Sequence, residues 1–166
     1  MAEYHLRCVV DTSILIDLHI ARLLNEFFQL PYSFFAPDAI IAELHEPDGQ
    51  SLLKLGLQQS QLAGSQILEV LQLRAQYRQP SVNDIFALVT AKEIKAILLT
   101  NDASLRKLAQ AHEIPFHGTL WVLDEMIRLT IIESARAIIA LQLMRLQGSR
   151  LPEDECHKRF RAWCNE

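Results

Sequence analysis

Four acidic residues stand where carboxylates can act together. Asp11 ends the apolar run over residues 6–10, broken only by Arg7, and Thr12 and Ser13 follow it before an apolar helical pattern begins. Asp102 follows a second run, Ala96-Ile97-Leu98-Leu99-Thr100, after Asn101. Glu43 lies within the apolar stretch 39–44, and Asp84 sits near the start of a helix that opens at Ser81. Taken singly, each has a structural explanation. Asp11 or Asp102 can cap the following helix, Glu43 can be a solvated helix residue, and Asp84 can complement a helix dipole. Gathered at one edge of a sheet, the four would repel one another and raise their own pKa values. A hard divalent cation such as Mg²⁺ or Mn²⁺, which prefers oxygen ligands, would neutralise them. Such a site, with coordination positions left open, generally serves phosphates.

The elements that must position these acids can be read from periodicity. Residues 6–10 and 96–100 read as buried strands, 32–36 as a further short apolar run, and 114–117 as a last short strand. Helical spacing runs from Ile14 to Phe28, with Thr12 or Ser13 as cap, and Pro37-Asp38 opens a helix that Pro47-Asp48-Gly49 ends. Residues 51–62 read as an amphipathic helix, and 67–71 as either a strand or a helix start. Helices are further expected from Ser81, over 103–112, 119–129 and 132–147, the last closed by Gly148, and after Pro152. Alternating strands and helices predict an α/β fold, with a parallel sheet covered on both faces. If the first and fourth strands are neighbours, Asp11 and Asp102 share the edge beyond their carboxyl ends, where ligands bind in such sheets.

Length and composition bound the rest. The chain has 166 residues, half of them hydrophobic, and a formal net charge of −4. One domain spanning 1–166 is expected, with a core over about 6–130 and a helical tail over about 131–166. The acidic balance gives no general attraction to nucleic acid, so such a partner must be held by local cations or through metal. Cys8, Cys156 and Cys164 are odd in number and lack metal-ligand spacing, which fits a reducing, cytoplasmic compartment. The opening residues 1–5 show no basic region followed by an apolar core, so no signal peptide is expected, and no apolar run is long enough to span a membrane.

The motifs carry a resemblance. Val9-Val10-Asp11-Thr12-Ser13, Pro37-Asp38 leading to Glu43, Ser81-Val82-Asn83-Asp84 and Leu98-Leu99-Thr100-Asn101-Asp102 resemble, in order and setting, the spaced acids of the PIN-domain family. The stretch 100–123, with Leu105, Ala109, Ile114, Gly118, Thr119 and Leu120, is similar to the toxin-like branch of that family called VapC. Gly118-Thr119-Leu120-Trp121-Val122-Leu123, the helical tail and Leu151-Pro152 resemble a subgroup of short prokaryotic PIN proteins. The resemblance covers residues 6–130 well and the tail more loosely. It implies a three-layer α/β/α fold with a central parallel sheet and C-terminal helices. It also implies an endoribonuclease that cleaves RNA by metal-activated water, often the toxin of a toxin–antitoxin pair. By the same resemblance Asp11, Asp84 and Asp102 would bind Mg²⁺ or Mn²⁺, with Glu43 completing the site directly or through water. Thr12, Ser13, Thr100 and Asn101 then become candidates to contact those ligands or the phosphate. An alternative reading is a non-catalytic PIN-like module that binds nucleic acid or protein.

Several neighbouring residues invite other roles. Asp17, on the first helix, and Asp38, at the start of the second, read as capping residues, and Glu46 rivals Glu43 for the fourth position. The six histidines are scattered without ligand spacing, His117 lying nearest the strand-end edge. Among the basic residues, Arg106 is the best candidate for a phosphate contact, whereas Arg145, Arg150, Lys158, Arg159 and Arg161 form a basic tail. Trp121 and Trp163 could stack on bases, although Trp121 on an apolar helix fits packing better. Ile131, Ile132, Ile138, Ile139, Leu141, Leu143 and Leu146 exceed what one buried face needs. That surplus predicts a partner, either a second copy in a homodimer or an antitoxin segment.

Overall fold

The computed structural model describes residues 5–165, so residues 1–4 of the stretch read for a signal peptide lie outside it. The elements follow in order as β1 (Arg7–Val10), α1 (Thr12–Ile20), α2 (Leu24–Phe27), β2 (Ser33–Pro37), α3 (Asp38–Glu43), α4 (Gly49–Leu55), β3 (Gln58–Ser60) and α5 (Gly64–Gln76). After them come α6 (Val82–Glu93), β4 (Ile97–Leu99), α7 (Ala103–Ala111), β5 (Phe116–His117), α8 (Thr119–Arg128), α9 (Ser134–Leu146) and α10 (Glu153–Cys164).

The described strands form one parallel sheet in the order β3-β2-β1-β4-β5. β1 lies at its centre, and Cys8, Val9 and Val10 are fully buried, as expected for a strand covered on both faces. α6 packs on β1, β2 and β4 and carries α5, while α1, α2, α8 and α9 pack on one another, which completes a three-layer α/β/α arrangement. The chain runs outward from β1 through β2 to β3, then returns to place β4 on the other side of β1. The strand order therefore reverses between β1 and β4, and the crevice beyond that pair is the topological switch point where open α/β sheets bind ligands. Val10 is opposite Leu99 in the register, and the Asp11 amide donates to the Leu99 carbonyl at 2.9 Å. The pairing of first and fourth strands expected from the sequence is thus the pairing that forms.

Local chemistry departs from the sequence reading at several places. Asp11, rather than Thr12 or Ser13, caps α1, its carboxylate accepting from the Thr12 amide. The helical spacing from Ile14 to Phe28 is broken into α1 and α2, because Arg22 takes the left-handed conformation (φ 55°). The Leu23 and Arg22 amides then close back on the Leu18 and His19 carbonyls, a Schellman-type stop. Pro37 precedes α3 instead of opening it, and Asp48 caps α4 rather than closing the helix before it. The helix expected over 51–62 is α4 followed by β3, whose Gln58-Gln59-Ser60 sits at the sheet edge and lacks an apolar signature. Residues 67–71 belong to α5, which leaves Leu68 and Leu71 exposed. On α9, Leu141 is buried whereas Ile139 and Leu146 face solvent.

Candidate active site

The crevice beyond β1 and β4 is built from hydrogen bonds that the strand ends set up. Asp11 is 4% exposed. Its Oδ2 accepts from the Ser13 hydroxyl at 3.0 Å and from the Thr100 hydroxyl at 2.8 Å, and its Oδ1 accepts from the Thr12 amide at 2.8 Å. Thr12 therefore contributes its backbone rather than its side chain. The Thr100 oxygen also accepts from the Asp102 amide at 3.0 Å, so one buried hydroxyl ties both strand-end acids together. Burial pushes the Asp11 carboxyl up to about 6, and the charge of Asp84 pushes the same way, against the lowering effect of the Thr100, Ser13 and Thr12 hydrogen bonds.

Asp84 and Asp102 are each held by the helix they begin. Ser81 caps α6 in a reciprocal arrangement. Its hydroxyl accepts from the Asp84 amide at 3.1 Å, while the Asp84 carboxylate accepts from the Ser81 amide at 2.6 Å. Burial again raises the Asp84 pKa above the ordinary carboxylate value, Asp102 and Glu43 raise it further, and the Ser81 bonds oppose them. Asp102 caps α7, its Oδ1 accepting from the Leu105 amide at 2.8 Å and the Ser104 hydroxyl at 2.5 Å. Glu43, at the end of α3, accepts from the Asn83 side chain next to Asp84. Asp11 feels Asp84, and Asp84 feels both Asp102 and Glu43, so the four acids named from the sequence share one electrostatic environment.

Whether this set suits a divalent cation turns on the donors. They are all carboxylate oxygens, Asp11 and Asp84 carry pKa values raised by burial and by neighbouring carboxylates, and a hard cation is the partner that relieves such a cluster. The donor chemistry fits. The side chains themselves are turned into the hydrogen bonds just described, and among the described residues no three His, Cys, Asp or Glu groups converge closely enough to hold an ion in that arrangement.

A second layer of contacts was not legible as such. Asp17, read as a cap, lies in the middle of α1 and is 5% exposed. Its carboxylate accepts from Asn101 at 2.7 Å and from the Thr119 hydroxyl at 2.9 Å, and burial raises its pKa. Asn101 also donates to the Thr119 hydroxyl and accepts from the Thr119 amide, and its own amide donates to Ser13. This lattice fixes the loop that presents Asp102. Asp38 accepts from the Ala39 amide at 2.8 Å, the local contact expected of a residue opening a helix.

Two cavities flank the loop, and Asn101 lines both. One, of about 370 Å³, is bounded by Ser13, Asp17, Asn101, Asp102 and Arg150. Arg150, read only as part of a basic tail, is exposed and lines this cavity together with Asp17 and Asp102. The other, of about 280 Å³, holds Arg106. Arg106 spends its Nε on the Thr100 carbonyl at 2.9 Å and lays its guanidinium over Phe116. His117 stacks on Trp121, whereas Trp163 is buried in the core.

A family model described as a PIN domain matches residues 7–164. No curated protein matches the chain.

Proposed function

The chain belongs to the PIN-domain family, and from that premise we propose that it is a metal-dependent endoribonuclease acting at the crevice beyond β1 and β4. PIN domains are typically nucleases that use divalent metals. One observation carries the reading to this chain: Asp11, Asp84, Asp102 and Glu43 come from four separate elements and yet share one electrostatic environment at the switch point. When bound by these acids, Mg²⁺ or Mn²⁺ would polarise the scissile phosphate and lower the pKa of an attacking water. The chain's own residues do the positioning. The Thr100 and Ser13 hydroxyls hold the Asp11 carboxylate in one orientation, and the Asn101–Asp17–Thr119 lattice fixes the backbone that presents Asp102. Arg150 offers the cavity a guanidinium that can meet a phosphate oxygen. A toxin role, paired with an antitoxin protein in the cytoplasm, is the finer form of this proposal. The exposed apolar residues Ile139 and Leu146 on α9 support a second copy or an antitoxin segment as partner.

The competing reading, a PIN module that binds without cutting, draws support from the way each acid is already engaged by a neighbour. One experiment separates the two. Structured RNAs incubated with Mg²⁺ or Mn²⁺ are expected to be cut by the wild type, spared in EDTA, and spared by Asp102→Ala. Cleavage that persists in EDTA or in the variant refutes the mechanism, and retention of RNA without cleavage in either metal favours the binding module.

A further inference from the structure

We infer that the Arg106 cavity, which shares Asn101 with the cavity lined by Asp102, is a subsite for one nucleobase of the substrate strand. Its lining includes Asn101, Arg106, Phe116, His117, Trp121 and Arg159. The proposal rests on the nuclease reading for the identity of the strand, and on the cavity's own chemistry for the identity of the group that enters.

The wall is aromatic and ordered. His117 and Trp121 stack on each other with ring centroids 4.4 Å apart and planes 7° from parallel, and Trp121 also stacks on Tyr32. The Arg106 guanidinium lies over Phe116, so a base would be met by the ring faces and edges that these contacts leave open. Burial lowers the His117 pKa, assisted by the Arg106 charge and opposed by Glu125, which favours the neutral ring. Neutral aromatic walls take bases because every base has a π-face. Single-stranded RNA presents bases that can be splayed out onto such surfaces.

The charges narrow the occupant further. Arg159 is occupied, bonded to Asp124 at 2.9 Å and to Glu155 at 2.8 Å. Arg106 has no carboxylate partner among the described residues, although it is half-buried and burial lowers its pKa. Its Nε is taken by the Thr100 carbonyl, while its Nη2 lies against the bare Cα of Gly118, where a side-chain carbon would come within 2.2 Å. A half-buried guanidinium without a counter-ion is costly unless a ligand brings acceptors to it. The Asn101 amide donates both hydrogens, to Asp17 and Thr119, and accepts from the Thr119 amide. The Glu155 carboxylate in the lining is engaged by Lys158 and Arg159, so the Arg106 guanidinium is the main polar group here left to meet a ligand. A planar ligand rich in ring nitrogen and carbonyl acceptors matches that pattern. At about 280 Å³ the volume lies just under the roughly 300–1,000 Å³ typical of small-molecule pockets, which suits one base rather than two. Because Asn101 lines this cavity and the acid cavity alike, a base seated here belongs to a nucleotide near the scissile phosphate.

The test is direct binding in EDTA, where no cleavage occurs. The Trp163→Phe protein leaves Trp121 as the sole tryptophan, and its emission is followed during titration with the four nucleoside 5′-monophosphates, ribose 5-phosphate and inorganic phosphate. Saturable quenching by at least one nucleotide is expected, with none by ribose 5-phosphate or phosphate, and Arg106→Gln should weaken that binding at least fivefold. Should Trp163→Phe fail to fold, the indole N–H resonances of the unsubstituted chain serve instead, Trp121→Phe identifying which of the two must move. Absence of any nucleotide response, equal response to ribose 5-phosphate, or unchanged affinity in folded Arg106→Gln overturns the subsite. Saturable nucleotide binding by a protein that cuts no RNA in Mg²⁺ or Mn²⁺ overturns the nuclease reading instead and leaves the subsite standing.

Discussion

Asp11 shows what the site asks of a single side chain. Its ordinary pKa of 3.8 rises to about 6 in the fold, so the native protein holds a proton there more tightly than the unfolded chain does. Stability therefore falls as pH rises from about 4 to about 6, and the full penalty persists above that window. Asn keeps the size and the capping geometry without the charge. In EDTA at pH 7, Asp11→Asn is expected to be about 1–3 kcal/mol more stable than the wild type, with the advantage shrinking toward pH 4. Urea melts at the two pH values measure this, and a variant no more stable at pH 7 contradicts a net cost of burying this charge beyond what its three hydrogen bonds offset. An acid that weakens its own fold is the kind of residue a protein keeps for function. Asp11, Asp84 and Asp102 could be found from sequence because they stand at strand ends and helix starts, which local patterns mark. Asp17 could not be, since its partners Asn101 and Thr119 lie 84 and 102 residues away and only the fold brings them together.

At the scale of elements, the site depends on helix starts more than on loops. α1, α6 and α7 each begin on a side chain that caps them, and two of those caps, Asp11 and Asp102, are candidate metal ligands. Removing the α6 cap separates its structural task from chemistry, because Ser81 is not itself an acid. Ser81→Ala is expected to lower stability by about 1 kcal/mol in denaturant melts. It should also reduce RNA cleavage, since Asp84 loses the hydroxyl that anchors its backbone. Unchanged stability and cleavage would show that the cap does not position Asp84. The legibility of elements followed burial. β1 and β4, apolar and central, were plain in the sequence. β3 was not, because an edge strand of Gln58, Gln59 and Ser60 gains its backbone partners from β2 without needing apolar side chains. α5 stayed ambiguous because its solvent face carries Leu68 and Leu71, which blur the polar side of the helical period.

For the whole molecule, the net charge of −4 and the clustered acids set a limit on how nucleic acid can be held. Arg150 is the basic residue among those that line the Asp102 cavity, so few phosphates there are neutralised by protein alone. Binding of single-stranded RNA in EDTA is expected to depend weakly on salt, with a log–log slope near −0.7 for each phosphate contact and a total between about −0.7 and −1.5. Fluorescence anisotropy across a salt series measures it, and a slope steeper than about −3 would reveal a basic surface beyond the one described. The parallel sheet covered on both faces was foreseeable from the alternation of strand and helix patterns, whereas the two cavities that share Asn101 were not, because their walls come from α1, α7, β5, α8, α10 and the chain before α10. That partition bears on how the sequence can drift. Both donors and the carbonyl oxygen of the Asn101 side chain are engaged from within, so almost any replacement there disturbs both cavities together. Phe116 and Trp121 touch one cavity only. Substitutions at those two positions therefore alter one cavity and leave the surroundings of Asp102 unchanged.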